Sequence, residues 1–132
     1  MDNYELIKMA KDARMFSRAG ISGFKVGAAL LTKSGKVFTG CNIEDPSGIG
    51  VTNICAERCA VVKALSEGHS DFEKIAVVGG IDELIFCTPC GACRQYLNSF
   101  CPEITLVCGW ADNSLKEFTL SELLPYSFSE EF

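Results

Sequence analysis

The sequence predicts an α/β protein: a three-layer α/β/α sandwich on a mixed five-stranded sheet. Helical and strand patterns alternate along the chain in the order α-β-β-α-β-α-β-β-α. Its strand-helix-strand stretches call for crossover connections, with helices covering both faces of the sheet. The 132 residues, 48% hydrophobic and 22% charged, have ordinary globular composition and enough length for one sizeable core. With no internal repeat, low-complexity tract or linker, residues 1–132 read as a single domain.

The elements follow in order. Leu6, Ala10, Ala13 and Phe16 recur at helical spacing, so a helix is expected over 3–18, ended by Gly20 and Gly23. An apolar strand over 26–31 leads through a turn at Lys33-Ser34-Gly35 into an alternating strand over 37–44, together a β-hairpin. On that second strand Val37, Thr39, Cys41 and Ile43 point one way, and Phe38, Asn42 and Glu44 the other. Residues 45–51, rich in Gly, Pro and Ser, form a loop. Ala56, Ala60, Ala64 and Leu65 pattern a helix over 55–67, stopped by Gly68. A buried strand is expected over 75–78, and Pro89 introduces a helix over 91–100. Strands over 105–108 and 115–118 are joined by a turn at Asp112-Asn113. Thr119 and Glu122 make a capping box ahead of Leu123-Leu124.

Charge narrows the function. A net charge of −5 without a basic block argues against a phosphate-backbone binder, so no nucleic-acid partner is expected. No apolar run is long enough to span a bilayer, and the charged start of the chain lacks the apolar stretch of a signal peptide. The expectation is a cytoplasmic protein with no membrane partner. Its eight cysteines then bind metal, react or pack, and do not form a disulfide framework.

Two stretches carry the chemistry, NICAERC at 53–59 and TPCGACRQ at 88–95. Cys90 and Cys93, three apart on a first helical turn, share a face and can meet one ion. Cys55 also stands at a helix start, where the dipole and free N–H groups favour thiolates. Three protein ligands on Zn²⁺ leave a tetrahedral position open, the mark of a catalytic site. A water there has its pKa lowered to about 7. Glu57 is two residues from Cys55, which on a regular helix sends it to nearly the opposite side. The two share a site if the ion lies off the helix end, and Glu57 can then accept and deliver a proton.

A ligand-x-Glu pair with Pro-Cys-x-x-Cys is the signature of zinc deaminases. Together with Phe24-x-Val26-Gly27-Ala28-Ala29, Asn42-x-Glu44 and Leu123-Leu124-Pro125, it makes nearly the whole chain resemble the small homotetrameric cytidine deaminases. The resemblance implies hydrolytic deamination of cytidine or 2′-deoxycytidine, with one Zn²⁺ per subunit on Cys55, Cys90 and Cys93 and Glu57 as the proton shuttle. It implies that Arg58 contacts a ligand sulfur, that Asn42 and Glu44 meet the ribose, and that Phe24 packs beside the nucleoside. Backbone groups near Ala56 and Cys90 would complete the contacts to the base. Phe128 matches an aromatic that reaches a neighbour's pocket in a homotetramer with shared active sites.

Other readings stand beside these. Cys-x-x-Cys alone is also the spacing of a redox pair or of half a structural zinc site, with Cys59 or Cys87 as fourth ligand. Cys87, Cys90 and Cys93 make a run like that of an iron–sulfur protein, although the usual next position is Leu97. A structural zinc or iron–sulfur interaction module is therefore the competing class. A deaminase of a modified cytosine nucleoside such as blasticidin S is the alternative enzyme. Cys41, Cys59, Cys87, Cys101 and Cys108 read as small apolar core residues and His69 as a solvated loop residue; by default Phe24 and Phe128 are core and Arg58 is surface. The chain departs from the family at residues 20–23, where a Tyr-Ser-type stretch is usual, and at residues 45–51, a longer loop with no aromatic.

Overall fold

The computed structural model describes residues 1–129 and has the expected sandwich. Helix α1 spans Asn3–Arg14, strand β1 Lys25–Thr32 and strand β2 Val37–Cys41. A 3₁₀ turn at Gly50–Thr52 precedes α2 (Ala56–Ser66). Then follow β3 (Phe72–Gly80), α3 (Gly91–Phe100), β4 (Thr105–Gly109), β5 (Leu115–Thr119) and α4 (Leu120–Leu123). The sheet order is β2-β1-β3-β4-β5, parallel only between β3 and β4.

Strand alternation divides the core in two. On one face Ala29, Leu31, Ala76, Val78 and Val107 pack against Leu6, Ile7 and Ala10 of α1. On the other, Ala28, Leu30, Ile75, Val77 and Leu106 pack against Ala56, Ala60, Val61 and Ala64 of α2 and Leu97 of α3. Fully burying side chains of this size stabilises by roughly 1.5–3 kcal/mol each, before conformational entropy is charged against it.

Several boundaries differ from the sequence reading, each for a local reason. Helix α1 ends at Arg14, four residues early, because Arg18 leaves to pair its backbone with Asn42 and Glu44. Phe16, which continued the helical spacing, is 77% exposed. Strand β2 stops at Cys41 because the Asn42 carbonyl turns to Arg18 N while its backbone amide still donates to Val26 O; its side chain fills the gap, Oδ1 accepting from Val26 N at 2.9 Å and Nδ2 donating to Phe24 O at 2.7 Å. Strand β3 runs beyond 75–78 at both ends, where Glu73 and Lys74 are polar and Gly79 and Gly80 carry no strand signal. His69 is half-buried rather than solvated, its ring centroid 5.2 Å from that of Phe38. Helix α3 and the capping box of Thr119 and Glu122 fall where expected.

One close approach ties the sheet to the start of α2. A Cβ built at Gly40 would lie 2.4 Å from the Ala56 carbonyl oxygen and 2.6 Å from Ala60 N. Gly40→Ala must therefore push away the end of α2 that carries Cys55. It is expected to lower stability by about 1–3 kcal/mol in denaturant unfolding and to reduce zinc content in elemental analysis.

Candidate active site

The antiparallel pairing of β1 with β3 sets Lys25 opposite Gly80, so the entry to β1 and the exit of β3 lie at one end of the sheet. Cys41, the end of β2, pairs with Gly27 nearby. Two helices begin beside this end, and each is capped by a cysteine. Cys55 (φ −77°, ψ 153°) precedes α2 and Cys90 (φ −66°, ψ 167°) precedes α3, both in extended backbone outside the helix proper. Cys93 lies in the first turn of α3 and is fully buried.

The sulfur atoms of Cys55, Cys90 and Cys93 all lie within 4.8 Å of one another, and those of Cys55 and Cys90 are 3.8 Å apart. Tetrahedral zinc with Zn–S bonds of about 2.3 Å requires sulfurs about 3.8 Å apart. Spacing and donor chemistry therefore both suit Zn²⁺. Among the described residues this group holds three donors; Cys59 and Cys87 stand outside it. Among those residues, then, a four-cysteine structural site is not formed.

A hydrogen bond from the Cys93 thiol, assisted by Arg58, draws Cys55 down to about 5. The same bond, together with burial, pushes Cys93 well above the ordinary thiol range. The environment thus favours the Cys55 thiolate, and a cation would favour the deprotonated form of all three sulfurs. Arg58 Nη2 reaches Cys55 Sγ at 3.6 Å and the Asn53 carbonyl at 3.3 Å.

Glu57 is 4% exposed and lines the same pocket as Cys55 and Cys90. The cap position resolves the spacing conflict: Cys55 sits before the helix, so it need not follow helical geometry relative to Glu57. Burial pushes the Glu57 carboxyl up to about 7, with the negative Cys55 adding to the effect.

The pocket encloses about 250 Å³. Phe24 and Val26 wall it from the entry to β1, Asn42 and Glu44 from beyond β2, and Ala56 from the first turn of α2, where backbone N–H groups lack helical partners. Glu44 is held by the 20–23 loop, accepting from Ile21 N at 2.9 Å, Ser22 N at 3.0 Å and Ser22 Oγ at 2.5 Å. These bonds, foremost the one from Ser22 Oγ, keep its carboxyl below the usual range. Phe128 does not line this pocket: the residue is 70% exposed, and its backbone carbonyl accepts from Gln95 and Asn98 of α3.

A model of the cytidine and deoxycytidylate deaminase zinc-binding region matches residues 2–108. The chain belongs to this deaminase family. Cytidine deaminase from Halalkalibacterium halodurans is 48% identical over 99% of this chain and 97% of its own. The crystal structure of cytidine deaminase from Burkholderia pseudomallei superposes with a TM-score of 0.86 at 40% identity, covering 97% of this chain and 100% of that one. A blasticidin-S deaminase from Bacillus cereus is more distant, 32% identical over 79% of this chain and 76% of its own.

Membership makes the protein a zinc deaminase, and the cofactor fits the three-sulfur group described above. The sequence reading missed other residues that build this deaminase site. Cys87 and Thr88, assigned to the core or left unassigned, line the pocket. Arg94 ties the approach to α3 in place, donating to Pro89 O at 2.8 Å, Thr88 Oγ1 at 2.7 Å and Leu123 O at 2.7 Å. Their one signal was position, beside Cys90 and Cys93. If the ligand set is the three-sulfur group, Cys90→Ala loses zinc from roughly one atom per chain to near none, while Cys87→Ala keeps it. Elemental analysis of the purified variants distinguishes this from a four-cysteine site.

Proposed function

We propose that this chain deaminates cytidine and 2′-deoxycytidine, converting them with water to uridine or 2′-deoxyuridine and ammonia. One observation carries the reading: a buried carboxylate, Glu57, lines a single small pocket together with Cys55 and Cys90, two of three converging thiols whose third, Cys93, is buried behind them. Cys55, Cys90 and Cys93 hold the metal. Bound there, zinc supplies Lewis acidity, which lowers the pKa of a water molecule from about 15.7 to about 7.

The remaining work falls to side chains and backbone. Glu57 takes a proton from the attacking water and passes it to ring N3, which makes C4 more electrophilic as the C4–O bond forms. It then takes the proton of the new hydroxyl and delivers it to the amino group. The C4–N bond breaks and ammonia leaves. Arg58 offsets the charge that three thiolates bring, through its contact with Cys55. Phe24 packs beside the base, and backbone groups at Ala56 and Cys90 orient it. Glu44, with Asn42 beside it, receives the sugar. Among the described residues no lysine or arginine lines this pocket, and Glu44 stands ionised at its wall. A 5′-phosphate would meet an unpaired carboxylate, so the nucleoside is favoured over the nucleotide.

The same reading makes the chain a single catalytic domain working in the cytoplasm as a homotetramer. No helix among the described residues is long and apolar enough to cross a membrane. Ile49, Val51 and Ile54 near the pocket mouth are exposed, as a covered subunit face would require. Phe128, held by its backbone against α3 and exposed, serves a neighbouring subunit's pocket.

Glu57→Gln removes the titrating oxygen but keeps the shape. It is expected to retain zinc and lose at least about a thousandfold in kcat, at the upper part of the range for general acid–base groups. Near-normal kcat with zinc in place would sink the shuttle role. Ammonia release from a panel of cytidine, 2′-deoxycytidine, cytidine 5′-monophosphate and blasticidin S tests the substrate class. The two nucleosides are expected to exceed the others by about tenfold or more in kcat/KM.

A further inference from the structure

The 20–23 loop makes contacts that the proposed reaction leaves unused. Glu44 accepts three hydrogen bonds from it. Ile21 N and Ser22 N both donate to Oε1, and Ser22 Oγ donates to Oε2 at 2.5 Å. The same Ser22 oxygen accepts from Phe24 N at 3.0 Å. Gly23, between them, has φ +73° and donates to Ala19 O at 2.8 Å, which closes the turn. On its other side the Phe24 carbonyl accepts from Asn42. One hydroxyl therefore joins the Glu44 carboxylate to the backbone of the neighbouring aromatic residue, and both residues line the pocket.

We propose that Ser22 is a positioning residue for substrate recognition, acting through Glu44. A carboxylate has about four lone-pair sites. Three are filled by the loop, which leaves one acceptor site on Oε2 for a ligand. Because Glu44 lines the pocket, that site is offered to a single hydroxyl donor of the substrate. The inference rests on the reading of Glu44 as the residue that receives the sugar. It adds that the loop aims the carboxylate, and that Ser22 couples the aim to the seating of Phe24. A loop hydrogen bond with only a structural role would give the same contacts, so the test must separate recognition from stability.

Steady-state ammonia release from cytidine by the zinc-loaded protein provides that separation. Ser22→Ala is expected to raise KM about tenfold, the size of one hydrogen bond to a charged group, with kcat changed less than about twofold. Ser22→Thr, which keeps the hydroxyl, restores KM. In an E44Q background, adding Ser22→Ala changes KM by less than about twofold, because the serine no longer has an ionised carboxylate to aim. The role is overturned if Ser22→Ala leaves KM unmoved, lowers kcat instead, or raises KM as much in the E44Q background as in the wild type. If Ser22→Ala melts well below the wild type, S22C, which keeps the size but weakens the donor, makes the same comparison. Wild-type protein inactive on cytidine overturns the deamination reading beneath this one; active protein with an unmoved S22A overturns the positioning role alone.

Discussion

Everything at the site depends on three thiols from two helices meeting within 4.8 Å. That convergence is a product of sheet order. Strand β3 lies between β1 and β4, pairing antiparallel with one and parallel with the other, so the exit of β3 adjoins the entry of β1. The helix after β2 and the helix after β3 both begin at that end. Each uses a cysteine where Ser, Thr, Asp or Asn would ordinarily cap it, and neither cysteine makes a side-chain capping bond. The first-turn N–H groups are thereby left free to favour thiolates and to meet a ligand.

Crowding three sulfurs in this way is electrostatically unfavourable without a cation. A hydrogen bond from the Cys93 thiol favours the Cys55 thiolate and pulls Cys55 down, and the same bond with burial pushes Cys93 up. Arg58 relieves part of the charge from outside the group. Glu57, buried beside the sulfurs and against apolar walls, is displaced in the opposite direction from an exposed carboxylate such as Glu44. Two carboxylates in one pocket thus have different characters, one suited to exchanging a proton and one to remaining an anion.

The parts of the fold legible in the sequence are those whose pattern is local. Helix α3 and the capping box of Thr119 with Glu122 need only a proline, a periodicity and a three-residue spacing. The convergence of Cys55, Cys90 and Cys93 into a group that can hold a metal ion is legible because ligand chemistry limits residue type and interval. What is not legible depends on distant partners. The end of α1 is set by Asn42 and Glu44, more than twenty residues away, which draw Arg18 out of the helix. The extra length of β3 comes from its pairing with the whole of β1, not from its own composition. Cys87 reads as a core thiol, since nothing in its neighbours distinguishes a wall that faces a pocket from one that faces side chains.

Asn42 and Glu44 carry this lesson into function. Both lie on the segment beyond β2 where the sequence pattern continues the strand, and both are assigned to the sugar. In the fold they also hold the chain that delivers Phe24: Asn42 grips the carbonyl of Phe24 and the amide of Val26, and Glu44 grips the loop just before them. The side-chain amide of Asn42 supplements its own peptide N–H in bonding to β1 and the residue before it, which is why β2 can end without leaving that edge unpaired. A side chain already committed in this way has its direction fixed before any ligand arrives, and little rotamer entropy remains to be lost on binding. On the proposed reading, recognition and folding therefore draw on the same few hydrogen bonds. A substitution in this segment should be judged by which of the two it disturbs, since a contact-based reading from sequence would attribute the whole effect to the ligand.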